Sequence, residues 1–330
     1  MISIKNLERV FMENIVGDHM LNGWSARKKK TVSFIIPTIN HVELVENCVQ
    51  SLVQSLEGKE HKIEIIVVDD GSSPGVQQDL EEALAAKPVR LICNNQNTGF
   101  ATTVNRGAAQ AGGDYICLVN NDVTFPNDTW LDHMLKGAEV SRASVVGARL
   151  LYPNGLLQHA GVYYLPESRT FDHQYRFRPG DYKPAIVNQE ALAVTGALLL
   201  IDRGTWEELG GMDENFFIAL EDVDFSLRAW EIGRKVIYQG DSVAVHHEGL
   251  TRGNSIANKD PFWLGLELRG TDYFFSKWGK KLSHLARIYR KKKRLMPAGA
   301  SASQEQALIW QQLSGKGRLL MLVNEREVPK

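Results

Sequence analysis

Cysteine is scarce and unpatterned: the chain carries only Cys48, Cys93 and Cys117, with no CxxC spacing. Each lies in an apolar segment, so three buried thiols in a reducing compartment are expected. An excess of charge is missing too. Lysine and arginine number 38 against 39 aspartates and glutamates in 330 residues, a net charge of -1. That balance argues against a general nucleic-acid binder and against a disordered acidic segment. No apolar run reaches the ~20 residues of a membrane span, since residues 191–201 are interrupted by Thr195 and Gly196. The N-terminus lacks an apolar core behind a basic start, so a soluble, cytoplasmic protein is expected. Two phosphate-binding signatures are likewise absent: no GxGxxG follows the first strand and no GxxxxGK[ST] occurs anywhere. A bound phosphate would need another source of positive charge.

What is present is a series of apolar strands that stop at polar residues. Thr31-Val32-Ser33-Phe34-Ile35-Ile36 ends at Pro37-Thr38-Ile39-Asn40, and residues 63–68 end at Asp69-Asp70-Gly71-Ser72-Ser73. Residues 89–93 lead to Asn94-Asn95-Gln96-Asn97-Thr98-Gly99-Phe100. Tyr115-Ile116-Cys117-Leu118-Val119 runs into Asn120-Asn121-Asp122. Helical patterns between the strands, such as Leu44, Val45, Cys48, Val49 and Leu52, predict crossovers and a mainly parallel sheet. Ligands collect where such strands end. Asp69 or Asp70 is suited to accept from base N–H or ribose hydroxyls, Pro37 and Thr38 leave backbone groups free, and Asp122 is placed to hold a divalent cation shared with substrate phosphates.

The second half offers partners for that carboxylate. Residues 150–181 read as irregular, with edge strands and loops over a cleft. Gly196, centred in a buried run, marks a bulge or a close backbone approach. Glu221-Asp222-Val223-Asp224 opens a helix. Acidic residues in a first turn favour the helix dipole, yet three in four positions exceed what capping needs, and an ionised carboxylate there would serve as a general base. A strand at residues 235–238 and another at 243–245 precede His246 and His247, either of which is a plausible further metal ligand.

The ends of the chain are read separately. Leu7, Val10, Phe11 and Ile15 recur at helical spacing within residues 1–30. Phe262, Trp263, Leu266, Leu268, Tyr273, Phe274, Phe275 and Trp278 suggest a helix packed on the main domain. Six cations in residues 287–294 suit either a solvated surface or a peripheral contact with an anionic membrane; a linker at 297–303 follows.

Taken together, residues 33–40, 67–72, Asn97-Thr98-Gly99-Phe100 with Asn105, Asn120-Asn121-Asp122, Thr195-Gly196-Ala197, residues 221–224 and His246-His247-Glu248-Gly249 resemble family 2 glycosyltransferases of the GT-A fold, in the rhamnosyltransferase-like subgroup that builds bacterial surface polysaccharides. The resemblance spans about residues 31–255. It implies an α/β, Rossmann-like GT-A domain with a mainly parallel sheet flanked by helices, between an N-terminal extension (1–30) and a helical C-terminal region (256–330). It further implies that Pro37, Thr38, Asn40, Asp69 and Asp70 meet the base and ribose, and that Asn97, Gly99 and Asn105 lie beside the diphosphate. Asn120-Asn121-Asp122 stands where the family carries its DxD-type signature, so Asp122 would hold Mg²⁺ or Mn²⁺ and Asn121 would contact ribose or phosphate. Asp222, beside Glu221, matches the catalytic base, and His246 the further metal ligand, with His247 one position away. The implied activity is inverting, metal-dependent transfer from a nucleoside-diphosphate sugar, dTDP-rhamnose among the candidates, to a hydroxyl of a glycan or lipid-linked glycan, with no nucleic acid involved. A non-catalytic nucleotide-sugar-binding scaffold and a nucleotidyltransferase are the competing readings; the latter lacks its glycine-rich, lysine-bearing loop after the first strand.

Overall fold

The structure, a computed structural model, describes residues 29–165, 170–248 and 261–293, with side chains in the last segment to Leu282. The helix expected within 1–30, the linker at 297–303 and the basic side chains of 287–294 lie outside the described residues. Four apolar strands alternate first with three helices: β1 (Thr31–Thr38), α1 (Val42–Ser55), β2 (Lys62–Asp69), α2 (Pro74–Leu84), β3 (Val89–Cys93), α3 (Phe100–Ala108) and β4 (Tyr115–Val119). There follow β5 (Val123–Thr124), α4 (Trp130–Ser141), β6 (Val145–Leu151), β7 (Leu157–His159), β8 (Val162–Leu165), β9 (Thr170–His173), α5 (Lys183–Ile186) and β10 (Gln189–Glu190). The remainder is β11 (Leu198–Asp202), α6 (Arg203–Leu209), α7 (Glu221–Glu231), β12 (Val236–His246) and α8 (Pro261–Lys293).

The main sheet has the order β10-β12-β6-β11-β4-β1-β2-β3. Strands β4, β1, β2 and β3 are parallel neighbours, as the alternating pattern predicts. β11 departs from it, running antiparallel between β4 and β6. Residues alternate across the pleat. Val32, Phe34 and Ile36 therefore face α1, α2 and α4 in one core, while Ile35 faces α3, α6 and α7 in another. Residues 235–238 and 243–245, read as two strands from the sequence, form one strand, β12, continued through an irregularity between Gln239 and Val243. Gly240 allows this, because any Cβ there would overlap the Ile186 carbonyl, and its N–H donates to Asn188 Oδ1 at 2.7 Å. Cys48 and Cys117 are buried as expected, but Cys93 is only half-buried, and all three thiols are free. Among the described residues no helix is long and apolar enough to cross a membrane.

Helix α8 lies against α7 and β8 through a third apolar cluster that includes Phe274, Trp278 and Leu282. Full burial of each such side chain is worth about 1.5–3 kcal/mol. The helix also presses on residues 217–220, where Ala219 (φ 75°) and Leu220 (φ 65°) take left-handed backbone without being glycine. Gly270 makes that approach possible, since a Cβ there would overlap the Ile218 carbonyl oxygen. Gly99 (φ 87°) fits the same segment from the opposite side, against Phe217. Gly270→Ala is therefore expected to cost about 1–3 kcal/mol in urea unfolding. Gly265→Ala on the same helix, where a Cβ meets nothing within 4 Å, should instead stabilise by up to about 1 kcal/mol. Equal effects of the two would show that α8 does not bear on the 217–220 backbone.

Candidate active site

Strand ends, the first turn of α7 and the start of α8 enclose a cavity of about 460 Å³. Pro37 and Thr38 from β1, Asp70 after β2, and Asn121 and Asp122 after β4 line one side. Asn97 and Gly99 line it from the loop before α3, Glu221 and Asp222 from α7, and His246 from the end of β12 beside Asp122. Asp122 and Asp222, a hundred positions apart, thus share one cavity. The reason is topological: β4 ends at the centre of the sheet, and α7 begins beneath the same edge.

Asp122 and His246 meet because β5 pairs antiparallel with β12, placing His246 opposite Val123. His246 Nε2 lies 3.0 Å from Asp122 Oδ1, and both residues are buried. The choice between the two histidines follows from strand alternation. His247 turns the other way, with its Nε2 3.2 Å from Thr124 Oγ1, and does not line the cavity. Asn121 Nδ2 donates to Thr38 Oγ1 at 2.9 Å, tying the ends of β1 and β4 together. Asp222 Oδ2 accepts from the Gly196 N–H at 2.8 Å, and Oδ1 from the Val223 N–H at 2.7 Å. The close approach expected at Gly196 is this one: its Cβ position lies 3.4 Å from that of Asp222.

Three residues singled out from the sequence lie outside the cavity. Asn105, expected beside a diphosphate, donates to the Met212 carbonyl and Glu214 Oε1 at 2.9 Å and accepts from the Met212 N–H at 2.8 Å. Its amide holds the turn after α6 instead. Asp69 is fully buried and braces its own loop, accepting from the Ser72 N–H at 3.0 Å and Gln77 Nε2 at 2.8 Å. Asn40, at φ 60°, joins two loops through its N–H to Ser72 Oγ at 2.8 Å. Asp70 does reach the cavity, but its carboxylate accepts from Asn94 Nδ2, the Thr98 N–H, Thr98 Oγ1 and the Gly99 N–H at 2.8–2.9 Å. Three of the four donors meet Oδ1 and one meets Oδ2, so Asp70 anchors the wall of residues 94–99 and keeps an Oδ2 lone pair.

Gln158, His173 and Glu267 line the cavity without a sequence signal, while Thr195 and Glu248 stand in the family-like motifs with no role assigned to them and Trp263 is expected only as a packing residue. Gln158 and His173 sit on short strands inside the stretch read as irregular, where no periodicity marks them. His173 is half-buried; desolvation, and then Arg176, push its imidazole below the ordinary histidine range. Its Nδ1 donates to the Gln158 carbonyl oxygen, which can only accept, at 3.0 Å. Burial pushes the Glu248 carboxyl up, but Arg176, Tyr152, His246 and Gln158 outweigh it and leave the group below its ordinary range. His159 is structural: Nδ1 donates to the Ala148 carbonyl at 3.0 Å and Nε2 accepts from the Gly161 N–H at 3.2 Å.

Residues 33–191 match glycosyl transferase family 2, so this part of the chain is a domain of that family, and the mixed sheet with its mostly parallel core is the GT-A fold. Among individual proteins, the chain is 26% identical over 245 residues to the O-antigen biosynthesis protein RfbC of Myxococcus xanthus, covering 73% of this chain and 19% of RfbC. It is 27% identical over 229 residues to an N-acetylglucosaminyl-diphospho-decaprenol L-rhamnosyltransferase of Mycobacterium tuberculosis, covering 60% of this chain and 71% of that protein. A crystal structure of GalNAc-T7 with UDP, GalNAc and Mn²⁺ superposes with a TM-score of 0.60 at 16% identity, covering 84% of this chain and 54% of the other. The chain spans 28% and 19% of the length of the two larger curated relatives it matches.

Proposed function

We propose that this chain is an inverting, metal-dependent glycosyltransferase that moves a sugar from a nucleoside-diphosphate donor to a hydroxyl of a bacterial surface polysaccharide or lipid-linked glycan. The observation that carries the reading is the convergence of Asp122, His246 and Asp222 on one cavity. Asp222, oriented by the Gly196 and Val223 N–H groups, takes the proton of the acceptor hydroxyl as that oxygen attacks the anomeric carbon. Thr38 and Asn121, joined by their hydrogen bond, position the nucleotide, with the 97–99 loop shaped by Asp70. Trp263 and Glu267 of α8 face the acceptor.

The residues present fit a small divalent cation. Ligand atoms about 2.1 Å from a common octahedral ion and adjacent to each other lie about 3 Å apart, which is the spacing of Asp122 Oδ1 and His246 Nε2. Among the described residues no group of three or more His, Cys, Asp or Glu side chains could hold a metal; the donor diphosphate would supply further ligands. Such a cation, held by Asp122 and His246, would neutralise the charge developing on the leaving diphosphate.

The relatives' names support a polysaccharide or lipid-linked acceptor and a rhamnosyl donor, for which dTDP-rhamnose is our first choice to try. The test is a panel of labelled sugar nucleotides with and without EDTA. Transfer or donor hydrolysis that EDTA abolishes supports the reading; binding without turnover supports a scaffold, and pyrophosphate exchange a nucleotidyltransferase. In calorimetry, Mn²⁺ should bind measurably only when nucleoside diphosphate is present. Tight uptake by the free protein would contradict that expectation.

A further inference from the structure

Gln158 on β7 is 1% exposed, and its amide joins the floor of the cavity to a partly exposed ion pair between Arg176 and Glu248. Oε1 lies 2.7 Å from His246 Nδ1, and Nε2 donates to Glu248 Oε2 at 3.0 Å. Glu248 accepts in turn from Arg176 Nη2 at 3.1 Å, and Arg176 Nε donates to Tyr152 Oη at 2.8 Å. These contacts fix the orientation of the amide. A carboxylate paired with arginine only accepts, so the Gln158 NH₂ must face Glu248 and its carbonyl oxygen must face the imidazole. That oxygen also only accepts. Nδ1 of His246 therefore carries the hydrogen, and Nε2 is the nitrogen turned toward Asp122 and the cavity. The Asn120 Nδ2 group, a pure donor 3.5 Å from Nε2, meets a lone pair there in the neutral ring that a cation would bind.

We infer that Gln158 is a positioning residue, which locks the His246 tautomer so that Nε2 is offered to a divalent cation. Glu248 and Arg176 hold the amide in that orientation. The inference rests on reading Asp122 and His246 as cation ligands, and it gives Gln158, Glu248 and Arg176 a role exerted on the cation through His246. Outer partners of this kind commonly change metal affinity 10- to 100-fold when removed.

The test titrates Mn²⁺ by calorimetry into the full chain saturated with dTDP, or with UDP if the wild-type chain prefers it. Gln158→Met keeps the length of the side chain and removes both hydrogen bonds. It should weaken Mn²⁺ binding about 10- to 100-fold while cation-free nucleotide binding stays at the wild-type level. Exchanging the groups, Gln158→Glu with Glu248→Gln, keeps an acceptor at Nδ1, a donor between the two residues and an acceptor for Arg176. It should restore most of the lost affinity, which a packing role would not require. In the wild-type chain, ¹⁵N correlation spectra should show a hydrogen on His246 Nδ1.

A bare Nδ1, unchanged Mn²⁺ affinity in Gln158→Met, or a folded exchange variant that recovers nothing would each overturn the inference and leave the cation site standing. A wild-type chain that binds no Mn²⁺ with nucleotide present would overturn the cation site itself, and the inference with it.

Discussion

Asp222→Asn is expected to lower sugar transfer by about 10² to 10⁴-fold and to leave donor affinity near that of the wild type. The substitution removes the base while keeping the shape of the side chain. Its remaining oxygen can still accept from the Gly196 N–H, which lies 2.8 Å from Oδ2 in the native residue, so the first turn of α7 should hold its place. No other group in the cavity replaces it easily. Asp70 is anchored in the 94–99 wall by three donors on Oδ1 and one on Oδ2, and His173 uses its Nδ1 on the Gln158 carbonyl. Among the described residues, the other carboxylates lining the cavity, apart from Asp122, are Glu221 beside Asp222 on α7, Glu267 on α8 and Glu248, which is paired with Arg176. Single-turnover transfer and donor calorimetry separate the two roles. Transfer by Asp222→Asn within a few-fold of wild type would move the base to Glu221, for which Glu221→Gln is the companion variant.

The strand ends were legible because the signal is local. A buried parallel strand reads as a continuous apolar run, and the polar residues that terminate it mark the sheet edge where ligands gather. Thr38, Asn121 and Asp122 emerged in that way. What the pattern could not separate is a polar residue facing the cavity from one that braces a loop behind it. Asp69 and Asp70 are adjacent and chemically identical, yet one is sealed against Ser72 and Gln77 and the other reaches the cavity. Asn105 sits on α3 close to Gly99, and a turn more than a hundred residues later claims its amide. Such distinctions depend on long-range packing. Gln158 and His173 were illegible for another reason: strands of three and four residues are too short for alternation to register. The antiparallel insertion of β11 is similarly silent in the sequence, since strand direction leaves no mark on composition.

The cluster at 221–224 shows the same limit from the other side, and it leads to the second large effect. Two residues along a helix turn the side chain by about 200°, so Asp224 points away from the cavity that Asp222 lines. It is fully buried and accepts from Arg228 Nε, Lys277 Nζ and Trp278 Nε1, each at 2.7 Å. The third carboxylate of the motif is therefore the point at which α8 is fastened to α7. Asp224→Ala should destabilise the protein by about 3–5 kcal/mol, because Arg228 and Lys277 lose their shared counter-charge and the buried indole N–H loses its acceptor. Asp224→Asn retains an acceptor for Trp278 and should cost less. The neighbouring Asp213 also accepts from Lys277 at 2.7 Å; burial opposes its ionisation, but Lys277, Asn215 and Tyr273 prevail and pull the carboxyl down to about 2. A depressed carboxyl contributes fully above its ordinary value near 3.8 and is lost only as the pH falls through about 2. The fastening should thus hold across the range in which urea unfolding of the two variants is compared at neutral pH. Because α8 also delivers Trp263 and Glu267 to the cavity, a loosened helix should raise the KM for acceptor more than the KM for donor. Asp224→Ala within 1 kcal/mol of wild type would mean that the apolar face of Phe274, Trp278 and Leu282 holds the helix without it.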